Sequence, residues 1–205
     1  MLKKTVLPVL LLLAATTVAQ VTTTTKPYPI DNNHSTVGFS VPIFGGLSQV
    51  KGKFTDFAIT LNHDEKDITK SSVSVVIKAT SVDTGIEGRD RHLRNADFFD
   101  VEKYPEITFK SDRIEKKGKQ FIAHGPLTMH GVTKQIALPF SITGTIKNPT
   151  TNNVSAVGFS ARTVLNRRDF GINYNRRDNP TFVGDNITVE IDLVTRALDP
   201  VKPAS

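Results

Sequence analysis

The sequence predicts an all-β fold: eight antiparallel strands closed into a barrel, with a short helix after the third strand. Three observations predict it. Apolar residues alternate with polar or small ones in eight separate stretches, and a period of two puts one strand face in a core and the other in water. Polar turns join most of the stretches and no helix recurs between them, which argues against a parallel sheet. Eight antiparallel strands leave two raw edges unless the sheet curls round on itself, and a barrel removes them. A sandwich is the other architecture that the pattern allows. The interior of an eight-stranded barrel is just wide enough to fill with side chains or to hold one ligand.

The elements follow in order. Lys3 and Lys4 precede an apolar run from Val6 to Ala14, and Thr17-Val18-Ala19 supplies small residues. That pattern reads as a secretory signal peptide over residues 1–19. The run is shorter than the roughly 20 residues a membrane-spanning helix needs. Residues 20–27 form a polar lead-in that starts out flexible, 28–196 a single barrel domain and 197–205 a C-terminal tail. Export places the protein in a periplasm, with secretion as the alternative. The absence of cysteine means no disulfide supports the fold and excludes thiol nucleophiles and thiolate metal sites.

The first strand is carried by Val37, Phe39 and Val41, the second by Phe57, Ile59 and Leu61, the third by Val73, Val75, Ile77 and Ala79. Ile107 with Phe109, and Leu127 with Met129, give the fourth and fifth. Ile136, Leu138, Phe140 and Ile142 give the sixth, Val157, Phe159 and Ala161 the seventh, and Ile187, Val189, Ile191 and Leu193 the eighth. "KKGK" (116–119) and "NPTTNN" (148–153) are turns. "STVGFSV" (35–41) echoes "SAVGFSA" (155–161), which reads as two strands in similar surroundings.

One segment breaks the alternation. "GIEGRDRHLRN" (85–95) is charged, and Asp90 and Arg94 stand four apart with the acid first, the favourable order on a helix. Ile86 and Leu93, seven apart, would share a face. The spacing predicts two or three helical turns starting near Asp83 or Thr84, with an exposed Asp90–Arg94 pair and His92 on the wet face. "NRRDFGINYNRRDNP" (166–180) is a long basic loop, with Arg167, Arg168, Arg176 and Arg177 read as solvated.

Net charge is +6, from 26 basic and 20 acidic residues. The charges are interspersed and tryptophan is absent, which argues against nucleic acid, since that partner wants a basic face with stacking aromatics. A mildly basic surface suits peripheral contact with an anionic membrane. There is no Gly-x-Ser-x-Gly elbow and no His-x-x-x-His pair. His124 and His130 on one strand would lie about 20 Å apart, too far for one metal ion.

The densest chemistry is "GRDRHLRNADFFD" (88–100). An enzyme reading makes His92 a base, oriented by Asp90 or Asp97, with Arg89 and Arg94 clamping a small anionic or carbonyl substrate. A lid reading puts Arg89, Asp90, His92 and Arg94 on a short helix, with Phe98 and Phe99 turned onto apolar surface at a barrel end and Arg168 at the mouth. By alternation Phe39, Val75, Ile77, Phe109, Leu127, Phe140, Phe159 and Ile191 point inward. Small residues among the inward set, such as Ala79, Ala123, Gly125 and Ala161, leave open whether the interior is hollow or tapers to a filled core that serves as an interaction module.

The stretches "SVDTGIEGRDRHLRNADFFDVEKYPEITFKS" (81–111), "GPLTMHGVTKQIALPF" (125–140), "NRRDFGI" (166–172) and "YPIDNNHSTVGFSV" (28–41) are similar to the YceI-like family of exported proteins, in order from about Tyr28 to Leu193. The resemblance implies a lipocalin-like barrel around an elongated apolar tunnel that holds a polyisoprenoid, such as a polyprenyl-tailed quinone, or another long amphiphilic lipid, with no cofactor and no established catalytic residues. Members often carry a histidine after the first strand, where this chain reads Pro42-Ile43-Phe44.

Overall fold

The computed structural model describes residues 26–152 and 154–196. The expected signal peptide and C-terminal tail lie outside them. Among the described residues all eight expected strands are present, and four more bring the count to twelve. In chain order they are β1 (Lys26–Tyr28), β2 (Thr36–Ile43), β3 (Ser48–Phe54), β4 (Phe57–His63), β5 (Ser72–Lys78), β6 (Val82–Asp83), β7 (Glu106–Lys110), β8 (Arg113–Lys117), β9 (Gln120–Met129), β10 (Val132–Lys147), β11 (Val154–Asn166) and β12 (Asn186–Val194). One α-helix, α1 (Glu87–Arg94), follows β6.

The unexpected strands have weak apolar patterns. In β3 the inward row is Val50, Gly52 and Phe54, so glycine interrupts the alternation; the ring of Phe39 lies where a Gly52 Cβ would stand, 2.4 Å from it. Only Ile114 in β8 is apolar and buried. β1 takes in the end of the expected lead-in: Lys26 and Pro27 pair with His63 and Asn62, so the chain is ordered in a sheet before residue 28.

Every strand pairing is antiparallel, in the order β1-β4-β5-β7-β9-β10-β11-β12-β2-β3-β6, with β8 alongside β9. The sheet curls, and the segment after β1 closes it against the end of β12. Ile30 bridges to Thr195, Asp31 N–H donates to the Val194 carbonyl at 2.9 Å and Arg196 N–H to that of Pro29 at 2.7 Å. Residues 26–31 thus join β4 to the end of β12. The two echoing heptads flank β12 on either side: Val37 and Ala161 both pair with Ile191.

Two glycine sites fix the course of the chain. The β9–β10 hairpin turns on His130-Gly131, both with positive φ (52° and 74°), as a two-residue turn between twisted strands requires. Between β7 and β8 the backbone turns a corner over Gly125, where a Cβ would lie 2.0 Å from the Lys110 carbonyl oxygen. Gly125 therefore accommodates backbone, not ligand. Ala79 and Ala123, each 1% exposed, are packed in the core.

Candidate functional site

The inward rows enclose two apolar cavities, one of about 280 Å³ and one of about 70 Å³. Five residues line both: Val37, Val75, Phe109, Leu138 and Ile191. They form a neck on five different strands, so the cavities are two chambers of one tunnel. Each strand runs along it. On β11, Phe159 and Ala161 face the small inner chamber, then Thr163 and Leu165 the large one. Six residues at about 3.3 Å each give this stave a length of about 20 Å.

All eight residues that alternation points inward line the tunnel. Phe39, Ile77 and Leu127 face the large chamber, Phe140 and Phe159 the inner one, and Val75, Phe109 and Ile191 the neck. Ala161 sits in the inner chamber as well. The interior is hollow, and its wholly apolar part suits a hydrocarbon better than water: an apolar cavity of roughly 150 Å³ takes up a benzene-sized molecule.

The inner chamber ends in a buried polar cap. Tyr28 (2% exposed) lies edge-on to His63 at 5.3 Å, and His63 edge-on to Phe159 at 6.0 Å. The Tyr28 hydroxyl donates to Glu65. Burial, then the neighbouring Glu65 carboxylate, pushes the Tyr28 phenol well above the usual tyrosine range. Burial pulls His63 below the usual histidine value. Ser71 Oγ accepts from Asp64 N–H at 2.9 Å and lies 3.3 Å from His63 Nδ1. The one polar side chain lining the inner chamber is thus already engaged.

The large chamber ends at α1 and the basic loop, where all its polar lining residues but Thr163 gather: Arg89, His92, Arg167 and Tyr174. α1 spans eight residues, just over the two turns expected, and begins after Ile86 rather than near Asp83 or Thr84. The expected Asp90–Arg94 pair does not form. Asp90 is buried and its carboxylate accepts from the Thr84 N–H at 2.9 Å and from the Thr84 hydroxyl. Arg94 donates instead to the carbonyls of Thr80 (2.7 Å) and Val82 (2.9 Å). The reason is local: the turn before α1 carries backbone donors and acceptors that no strand satisfies, and a buried group must find a partner. Arg89 serves the same turn through Thr84 Oγ1 and its carbonyl. Ile86 and Leu93 share no burial; Leu93 lines the tunnel while Ile86 is 55% exposed.

His92 is not confined to the wet face, although 40% of its side chain is exposed. It lines the large chamber, with its ring edge-on to Phe98 (5.0 Å) and Tyr174 (5.1 Å), and Nε2 is 2.9 Å from Asp97 Oδ2. Asp97, not Asp90, orients it. Phe98 is buried and lies 4.8 Å from Tyr174, and Phe99 packs on Phe54 at 5.7 Å. Both phenylalanines line the chamber, so the segment after α1 closes that end with aromatic rings.

Arg167 and Arg168 have exchanged expected places. Arg168 points away from the tunnel to Asp185 (2.8 Å) and Asn175 (2.7 Å). Arg167 is 3% exposed and lines the chamber. It donates to the carbonyls of Ile172, Gly184 and Val183 at 2.7, 3.1 and 3.4 Å and pairs with Asp185 at 2.8 Å. Burial pulls its pKa down while Asp185 opposes the fall. One side chain staples both ends of the loop 172–184. Tyr174, Phe182 and Val183 reach the chamber through that loop, and no sequence motif singles them out. Arg167 did carry a signal: it continues the odd-numbered inward row of β11, Phe159 to Leu165, whereas Arg168 falls on the outward parity.

Comparison with known proteins places this geometry. Residues 28–195 match the YceI-like domain. The protein YceI of Escherichia coli O157:H7 is 38% identical over 147 residues, 71% of this chain and 75% of that one. Among solved structures, Burkholderia cenocepacia BcnA superposes with a TM-score of 0.71 at 21% identity, covering 80% of this chain and 98% of that one. A polyisoprenoid binding domain from Saccharophagus degradans, implicated in plant cell wall breakdown, superposes with a TM-score of 0.60 at 14% identity, covering 83% and 98%. The last two are likenesses of fold.

Proposed function

The chain belongs to the YceI-like family, and from that premise and the shape of its interior we propose that it is an exported binding protein that holds a polyisoprenoid or similar long amphiphile. The observation that carries the reading is the two-chambered tunnel, whose inner chamber offers a ligand almost nothing but hydrocarbon. Such a space selects a chain, since each methylene buried there contributes about 0.8 kcal/mol. The polar side chains at the α1 end of the large chamber, Arg89, His92, Arg167 and Tyr174, support a headgroup at that end and a tail in the neck and inner chamber. A polyprenyl-tailed quinone fits this division, with carbonyl oxygens that arginine and histidine N–H groups can meet. The α1 segment acts as a lid, with Phe98 and Phe99 as its apolar underside. Loading from and delivery to a membrane follow from the ligand class, and Arg176 and Arg177, exposed in the loop beside the mouth, favour an anionic surface.

The test is organic extraction of protein purified from its native compartment, followed by mass spectrometry. A stoichiometric long-chain amphiphile is the expected result. A clean extract, together with no uptake of polyprenyl quinones by the extracted protein, would sink the reading.

A further inference from the structure

The rim of the large chamber exposes apolar side chains. β2 ends at Ile43, which lines the chamber, and the chain then turns through Phe44-Gly45-Gly46 into Leu47. Phe44 is 49% exposed and Leu47 is 90% exposed, the most exposed of the large hydrophobic side chains among the described residues. This tip is held rather than loose. Phe44 N–H donates to the Phe182 carbonyl at 2.9 Å and Gly45 N–H to that of Thr181 at 3.2 Å, and the Phe44 and Phe182 rings meet edge-on at 4.6 Å. Phe182 itself lines the chamber, so apolar surface runs without a break from the tunnel wall to the outside of the tip. Phe44 adopts a positive φ of 53°, a conformation that a bulky residue rarely takes and that surrounding structure must hold in place.

A third exposed apolar residue joins the same rim. β6 runs antiparallel to β3, with Asp83 opposite Lys53. Residues following Asp83 therefore head back towards the Leu47 end of β3, and among them Ile86 is 55% exposed. The basic groups at this rim are Arg176, whose guanidinium lies 4.9 Å over the Phe182 ring, Arg177, and Lys51 on β3. The acidic groups nearby are Asp178, paired with Arg176 at 2.7 Å, Asp83, and Glu87 next to Ile86, paired with Arg91 at 3.3 Å. The other exposed large hydrophobics lie elsewhere: Ile146 at the far end of the barrel, where it pairs with Ala156, and Val164 on the outer face of β11.

We propose that this rim is a membrane-docking surface, and that Phe44, Leu47 and Ile86 enter the headgroup layer of an anionic bilayer with the large chamber facing it. Two features favour a bilayer over a protein partner. A stable protein interface buries about 800 Å² on each side, far more than three separated side chains present. A wedge of apolar side chains flanked by arginine and lysine matches what an anionic interface takes up. The continuity of the tip with the tunnel wall gives a tail leaving the bilayer an apolar path. For its purpose this rests on the lipid-holding reading above; the exposed residues do not depend on it.

The experiment is flotation of the protein, purified from its native compartment, with vesicles of equal parts phosphatidylcholine and phosphatidylglycerol, comparing wild type, Leu47→Ser, Phe44→Ser with Leu47→Ser, and Ile146→Ser. Wild type should float with the vesicles, Leu47→Ser should lower its partitioning about tenfold, the double variant further, and Ile146→Ser should match wild type. Thermal midpoints of all four report folding, and Leu47→Ser, altering a side chain that touches little, keeps the test clean if the double variant unfolds. Failure of the wild type to float, flotation unchanged in Leu47→Ser, or equal loss in Ile146→Ser overturns the proposal. So does sedimentation showing a wild-type self-association that Leu47→Ser abolishes. Extracting bound lipid from the same preparations separates the two readings. Tip-dependent flotation with an empty tunnel keeps this proposal and removes the ligand; a filled tunnel with tip-independent flotation does the opposite.

Discussion

Filling the inner chamber should strengthen the fold and weaken the grip on a long tail. Ala161 lines that chamber and sits between Phe140 and Ile191 on the neighbouring strands. Ala161→Leu adds three carbons to a void of about 70 Å³. Cavity-filling substitutions commonly add about 0.5–2 kcal/mol, so the ligand-free protein should melt a few degrees higher. If the added carbons exclude two methylenes of a tail, binding loses about 1.6 kcal/mol at 0.8 per methylene. That is somewhat more than a tenfold rise in Kd. A short-chain analogue that ends before the neck at Val37, Val75, Phe109, Leu138 and Ile191 should bind as before. The assay pairs thermal unfolding of delipidated protein with competition between a fluorescent long-chain amphiphile and unlabelled chains of graded length. Ala161→Val guards against overpacking, which costs about 1–3 kcal/mol when a site cannot yield. A lower midpoint in both variants with unchanged affinity for every chain length would refute the reasoning, because the inner chamber would then be a packing defect with no part in binding.

Three further outcomes are expected. Asp90→Ala should cost about 1–3 kcal/mol in urea unfolding, since it strands the Thr84 N–H and hydroxyl, while Arg91→Ala, which removes an exposed pair with Glu87, should stay within about 0.5 kcal/mol. Arg167→Lys should lower the thermal midpoint and raise amide exchange across 172–184, because an ammonium cannot reproduce the fork that holds Ile172, Gly184 and Asp185; unchanged exchange there would contradict the stapling role. His63 has its folded pKa depressed by burial, so the unfolded chain binds the proton more readily. Stability from this site is complete above the unfolded histidine value of about 6.5 and falls as pH drops below it, and His63→Phe should flatten that part of the stability–pH curve.

Much of the fold was legible because a strand with one wet face writes its geometry in alternation. Val73, Val75 and Ile77, or Ile187 to Leu193, can lie only one way round, so the tunnel wall could be read directly. β3 escaped because the alternation breaks at Gly52, where Phe39 supplies from the next strand the bulk that glycine lacks. β8 has a single buried apolar residue, so nothing in its composition separates it from a turn. At the lid, the i, i+4 rule for Asp90 and Arg94 describes two side chains competing only with water. Here they compete with unpaired backbone groups of residues 80–84, and those win. The better signal was the helical face Arg89, His92, Leu93, which all line the chamber. Arg167 shows the limit of reading charge as exposure: four protein acceptors compensate its burial, and only parity along β11 marks it.

The join at residues 26–31 is a thin place in the wall. Three register positions hold β1 to β4, and on the other side an isolated bridge at Ile30 and two flanking hydrogen bonds hold the segment to residues 194–196. By contrast β10 and β9 share nine register positions. Cooperative opening starts where few bonds must break together, so this seam is one place at which the barrel can part. Tyr28 is the side chain that plugs it, and its ring also caps the inner chamber through His63. Loosening of the seam would therefore also uncover that end of the tunnel, and for a tail held as proposed above it would open a second, sideways exit, limited by the unzipping of about half a dozen backbone contacts rather than by the length of the chain.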